Sequence, residues 1–292
     1  MPISDLSMYD SLSYSLDSVL NALQQTETQL GTGKRVNSPS DDPVAYGTSV
    51  VLNAQLSAAN NDVNLAQVIQ GKLTTASGQL SSVSTAIETA IQLATQGADA
   101  STSATQMQTL AHQIGGVLNS VIAAADTQYN GAYVFGGNQT LTAPYSASGA
   151  YSGDSSSNTF TFMDGSTVHL TYDGQAIFGD SSSGIIGTLT ALQTALNAGN
   201  QSAVSATLSA LQTGLQQVAS ANATMGADLQ TVSSVISNQN TNVTNIQTTL
   251  NNVVNLDIAQ ATSREQEQSL QEQALTSFAA GLQRVPLVNI IA

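Results

Sequence analysis

Between Tyr9 and Leu30 the apolar side chains fall at Tyr9, Leu12, Leu16, Val19, Leu23 and Leu30, in steps of three and four with Thr26 in the remaining slot. A helix brings such positions onto one narrow stripe, the seam of a helix that must lie along another helix. The spacing returns near the other end at Leu229, Val232, Ile236, Val243, Ile246, Leu250 and Val253, with Gln239 as a polar interruption that fixes register at some cost in stability. The last segment adds Leu270, Ala274, Phe278 and Leu282 before Pro286 ends the helix. Neither end can bury its stripe alone, and together they predict a mainly α chain: a long antiparallel bundle or coiled-coil rod built from both termini.

The interior of such a bundle must be thin. Aromatic residues make up 4% of the 292 residues and there is no Trp, which argues against a thick core of large side chains. From Val44 to Asp126 the spacing predicts two helices, Ala45 to Gln96 and Thr105 to Asp126, with a break around Gly97 to Ser103. From Tyr129 the apolar period shortens to two. Thr159 to Met163, Thr167 to Tyr172 and Gln175 to Phe178 read as strands joined at Asp164-Gly165 and Asp173-Gly174, dipeptides that favour two-residue hairpin turns. A small antiparallel β domain at the far end of the helices is expected, making the class α+β with a small β insert. The divisions expected are an assembly segment and turn over 1–44, core helices over 45–137 and 187–255, a β-rich outer domain over 138–186, and an assembly helix over 256–292.

Charge removes several function classes. Five Lys plus Arg (Lys34, Arg35, Lys72, Arg264 and Arg284) stand against nineteen Asp plus Glu, a net charge of −14. Nucleic acid is excluded as a partner for want of phosphate-neutralising groups, and an anionic membrane surface would repel the chain. No run reaches the ~20 apolar residues that span a bilayer, so no membrane insertion is expected. There is no Cys, hence no disulfide or thiolate site. The start, Met1-Pro2-Ile3-Ser4-Asp5, lacks the basic flank and apolar run of a cleaved signal.

Catalytic patterns are missing too. Gly31-Thr32-Gly33-Lys34 fails as a phosphate loop, with Thr28 where the leading Gly belongs and Arg35 where the metal-binding hydroxyl belongs. It reads instead as a helix end and loop. Asp41-Asp42 before Pro43 reads as a helix cap, not a metal pair. His112 and His169 are too scattered for a zinc cluster, neither begins a His-Glu-x-x-His helix, and no Ser sits in a G-x-S-x-G elbow. No enzyme, metal or cofactor is expected.

Two stretches carry a resemblance. The run from Leu30 to Ala45, with Gly31-Thr32-Gly33-Lys34-Arg35-Val36-Asn37-Ser38-Pro39-Ser40-Asp41-Asp42-Pro43, resembles the N-terminal signature of the bacterial flagellin superfamily. Pro43 after the two acids, and the turn Tyr129-Asn130-Gly131 leading to Gly137, are similar to the hook-filament junction branch and differ from flagellins proper. The tail from Val285 to Ile291 resembles the family ending only loosely.

The resemblance implies export without a cleaved signal through the flagellar secretion apparatus, and an extracellular structural role in the flagellum. The implied partners are the first hook-associated protein on one side and flagellin on the other, copies of the chain in a ring, and a cytoplasmic export chaperone at the C-terminal helix. The candidate interface is then Tyr9, Leu12, Leu16, Val19, Leu23, Leu30, Lys34, Arg35, Val243, Ile246, Leu250, Val253, Leu270, Phe278 and Leu282. Each apolar member would contribute about 1.5–3 kcal/mol on full burial. Asn37, Asp41, Asp42, Pro43, Tyr129, Asn130 and Gly131 form the turn and cap signature, and Lys34 and Arg35 would meet acidic groups of a neighbour or stay solvated. The alternatives are a filament flagellin, or a secreted adhesin or needle-type structural protein.

Overall fold

A computed structural model describes residues 2–283, with side chains from 7 to 281. Helix α1 spans Pro2–Thr32, α2 Pro43–Ala98, α3 Ala104–Ala125, α4 Gly174–Phe178, α5 Gly184–Asn197, α6 Gln201–Val254 and α7 Ile258–Gln283; the strands are β1 (Gln128–Tyr129), β2 (Ala132–Tyr133), β3 (Thr159–Thr161) and β4 (Thr167–His169). The chain divides into two compact units, one made of Met1–Ala59 and Asn242–Ala292, the other of Asn60–Thr241.

The unit 60–241 holds the main core. Along α2 the residues withdrawn from solvent are Ala66, Ile69, Leu73, Ala76, Leu80, Val83, Ile87, Ala90 and Ala94, again in steps of three and four. On α6, Val204, Leu211, Val218, Met225 and Val232 are fully buried and seven apart. This period of 3.5 is the geometry of long helices packed side by side, and the alternation of Ala with Leu and Ile keeps the layer thin. Two polar pairs interrupt it. Ser77 donates to Asn222 Oδ1 at 2.6 Å, and Gln239 Nε2 donates to Asp62 Oδ2 at 3.0 Å. Each polar group in the layer has a partner, so a slip of one turn would strand both pairs.

Helices α3 and α5 pack along each other in the same core. A capping box starts α3: Ser103 Oγ accepts the Gln106 N–H while Gln106 Oε1 accepts the Ser103 N–H.

The β insert is smaller than the sequence predicts. Among the described residues the strands form two separate antiparallel ladders, β1 with β2 and β3 with β4. The first turns at Asn130 (φ 50°) and Gly131 (φ 78°), the doubly left-handed path of a two-residue hairpin. Tyr129 lies against Gly71 of α2 so closely that a Cβ there would sit 2.2 Å from the phenol oxygen; only glycine lets the ring seat on the helix.

At Asp164-Gly165 the expected two-residue turn is instead a loop over 162–166, with Gly165 alone left-handed and Thr161 opposite Thr167. Gln175 to Phe178, expected as a strand, is helix α4. The Asp173 carboxylate accepts the Gln175 N–H at 2.8 Å and caps it, so Asp173-Gly174 starts a helix and does not turn a hairpin. Phe178 at its end is fully buried, edge-on to Phe135 with ring centroids 5.0 Å apart.

Candidate assembly interface

The unit formed by the two ends contains the sequence-expected interface. Its hub is the turn between α1 and α2. Gly33 leaves α1 in the left-handed region (φ 69°), which a side chain at Cβ would strain. The strap that follows is tied to the junction of α6 and α7: the Arg35 N–H donates to Val254 O at 2.7 Å, and the Leu256 N–H donates to Gly33 O at 3.1 Å. The Arg35 guanidinium bonds Asp42 Oδ2 and Val253 O, each at 3.0 Å. Arg35 thus has its acid within the chain, whereas Lys34 is exposed.

Asp41 and Asp42 act as caps. Asp41 Oδ2 accepts the N–H groups of Asn37 and Ser38, both at 2.9 Å, and its Oδ1 accepts Gln25 Nε2 at 3.2 Å. Asp42 Oδ1 accepts the Ala45 N–H at 3.0 Å, with Pro43 as the first residue of α2. The Asn37 amide closes back on Lys34 O, and Val36 is buried beneath the strap.

The Asn37 N–H, then the Ser38 N–H, hold the Asp41 carboxyl below its ordinary 3.8. A depressed folded pKa stabilises above the unfolded value and is lost as pH falls through the folded one. Amide exchange at Asn37 and Ser38 should therefore stay slow above pH ~4 and speed up below it, relative to neighbouring α1 amides.

The apolar candidates separate into two sets. Leu12 is buried and Leu16, Val19, Leu23 and Leu30 are half-buried on one face of α1, with Thr26 buried among them and its hydroxyl bonded to Ala22 O. Tyr9, at the head of that stripe, is 46% exposed. On the last turns of α6, Ile246 is buried and Val243, Leu250 and Val253 are half-buried. On α7 the order is reversed: Leu270 is 65% and Phe278 54% exposed. The side chain of Leu282, and the tail with Pro286, lie outside the described residues.

Exposed apolar groups in this unit that the heptad reading passed over include Met8, Tyr14 and Leu20 on α1, Val44, Val50 and Val51 on α2, and Ile258 on α7. Their signal was present as apolar residues off the seam. Tyr129, Asn130 and Gly131 belong to the other unit, where they turn the first hairpin.

Among the described residues no group of three or more His, Cys, Asp or Glu is placed to hold a metal, and no helix is long and apolar enough to cross a membrane. What this geometry offers is helix pairing: two terminal helices side by side, a capped strap that locks their junction, and apolar side chains left outside.

Residues 3–140 match the family model of the bacterial flagellin N-terminal helical region. This N-terminal part of the chain is thus similar to the helical region of the flagellins. Within that class the chain is homologous to flagellar hook-associated protein 3. It is 30% identical to that protein of Salmonella typhimurium over 189 residues, 64% of this chain and 59% of the relative. It is 37% identical to that of Escherichia coli over 120 residues, 40% of this chain and 38% of the relative. The chain thus spans less than two thirds of the length of these relatives. The solved flagellar hook-associated protein-3 from Legionella pneumophila shares the fold, with a TM-score of 0.62 at 15% identity, over 70% of this chain and 98% of that one.

Proposed function

We propose that this chain is a non-enzymatic structural subunit of the bacterial flagellum that joins the hook-associated zone to the filament. The observation that carries the reading is the terminal unit itself. Two end helices packed together by a capped strap, in a chain homologous to flagellar hook-associated protein 3, form an assembly element and not a substrate site. It acts outside the cell, and its partners are the first hook-associated protein, flagellin and copies of itself, with an export chaperone holding α7 beforehand.

The five-part division follows the same logic: 1–44 and 256–292 assemble, 45–137 and 187–255 form the shaft, and 138–186 faces outward. The −14 charge keeps unassembled copies apart in solution, and the apolar side chains left exposed on α1, α2 and α7 are where subunits meet.

A host lacking this chain is expected to complete its hooks, release flagellin into the medium and carry no filaments, as counted by electron microscopy. Filaments of normal length on such cells would refute the role.

A further inference from the structure

Strand β3 has an open edge. The Leu170 N–H donates to Asn158 O at 2.6 Å and the Phe162 N–H to Ser166 O at 2.8 Å, which fixes the phase of the β3–β4 ladder. In that phase Phe160 and Val168 exchange main-chain bonds, and the N–H and C=O groups of Thr159 and Thr161 turn away from β4. Among the described residues no third strand joins this sheet, and both threonines are exposed. The far edge of β4 is treated differently, because there the His169 N–H donates to Asp228 Oδ2 of α6. The edge of β3 also lacks the usual protection by Lys or Pro: from Ser155 to Met163 there is no charged residue and no Pro. Thr159-Phe160-Thr161-Phe162 is instead rich in strand-forming side chains, and Met163 beside it is 75% exposed.

We propose that this edge pairs with the same edge of a second copy, antiparallel about Phe160. The main chain supplies the bonds: Thr159 of one copy exchanges N–H and C=O contacts with Thr161 of the second copy, and the reverse. Cross-strand pairs of Thr with Thr and Phe with Phe add to them. Charge selects the direction. Two chains of net charge −14 repel, so contact is favoured where no acid meets an acid. In the antiparallel register Asp164 falls opposite Ser156 and Asp154 opposite Ser166, whereas a parallel in-register pairing would set each Asp against its own copy. So short a strand makes a weak, two-fold contact. This goes beyond the junction role, because it joins free copies through the insert and involves neither end of the chain.

The test is amide exchange at Thr159 and Thr161 in the purified full chain, read by NMR at about 20 μM and about 1 mM. Both amides should slow by about threefold at the higher concentration, while Phe160, already bonded to Val168, stays as it was. Thr161→Pro removes an outward N–H without touching the Phe160–Val168 pair and should abolish the slowing at Thr159. Ser156→Lys, placed opposite Asp164 of the second copy, should strengthen the slowing, and Ser156→Asp should cancel it. Rates independent of concentration in the parent would overturn the proposal, as would slowing that survives Thr161→Pro. Equal slowing in Ser156→Lys and Ser156→Asp would overturn it too, since the strands would then not meet in this register.

Discussion

Phe178→Ala is expected to lower stability by about 3–5 kcal/mol, the cost of emptying a fully buried aromatic site, and to drop the unfolding midpoint by roughly 10 °C. The ring is 0% exposed and edge-on to Phe135, with Tyr145 also at a T-shaped angle to it, centroids 6.2 Å apart. The Tyr145 hydroxyl donates to Gly179 O at 2.9 Å, directly after Phe178, so the cavity cannot collapse without breaking that bond. Aromatic pairs of this kind add ~0.5–1.5 kcal/mol beyond area burial. Thermal unfolding by circular dichroism measures the loss, and Phe178→Leu should recover about half of it. A midpoint unchanged in Phe178→Ala would mean that the aromatic cluster of the insert folds independently of the helical core.

How much of this was legible in the sequence depends on the element. The stripe on α1 could be read because one helix face there carries apolar residues at regular steps and the structure withdraws that same face. The same reading marked Leu270 and Phe278 on α7, but spacing tells only that residues share a face, not which face points inward. With Ala261, Leu275 and Ala279 on one side and Leu270, Ala274 and Phe278 on the other, periodicity leaves α7 ambiguous. The Ser-Asp-Asp-Pro caps were legible because capping is local chemistry. Arg35 was not, because its acceptor Val253 O is 218 residues away.

The insert shows the other limit. Asp-Gly dipeptides were read as hairpin turns at 164–165 and 173–174. Asp caps a helix with the same side-chain geometry, and at Asp173 the fit of Phe178 into the core decided for helix. Asn130-Gly131 carries the same turn chemistry, and there the two-residue hairpin formed.

The second large effect concerns how that insert is tied to α2 and α6. Asp228 of α6 is 7% exposed and carries three hydrogen bonds on one oxygen. Tyr172 Oη donates at 2.8 Å, His169 Nδ1 lies at 2.9 Å, and the His169 N–H donates at 3.4 Å. Burial, and then the carboxylate beside it, push the Tyr172 phenol well above its ordinary range, so it stays protonated and donates.

On the α2 side the Lys72 ammonium donates to Leu170 O, and burial lowers its pKa. Strand β4 and its extension are thus held from two helices by polar contacts at the rim of an apolar core. Asp228→Ala would leave a buried phenol and an imidazole without their shared acceptor, and should cost about 3 kcal/mol. The midpoint should fall by roughly 6–12 °C.

The readout that separates this from simple core loss is local. Amides of 159–172 should exchange faster than those of α2 and α6, because the helices keep their own seam. Asp228→Asn retains one acceptor for Tyr172 and should recover part of the loss. Uniform destabilisation of helices and insert alike would instead place Asp228 in the cooperative core and make the insert inseparable from it.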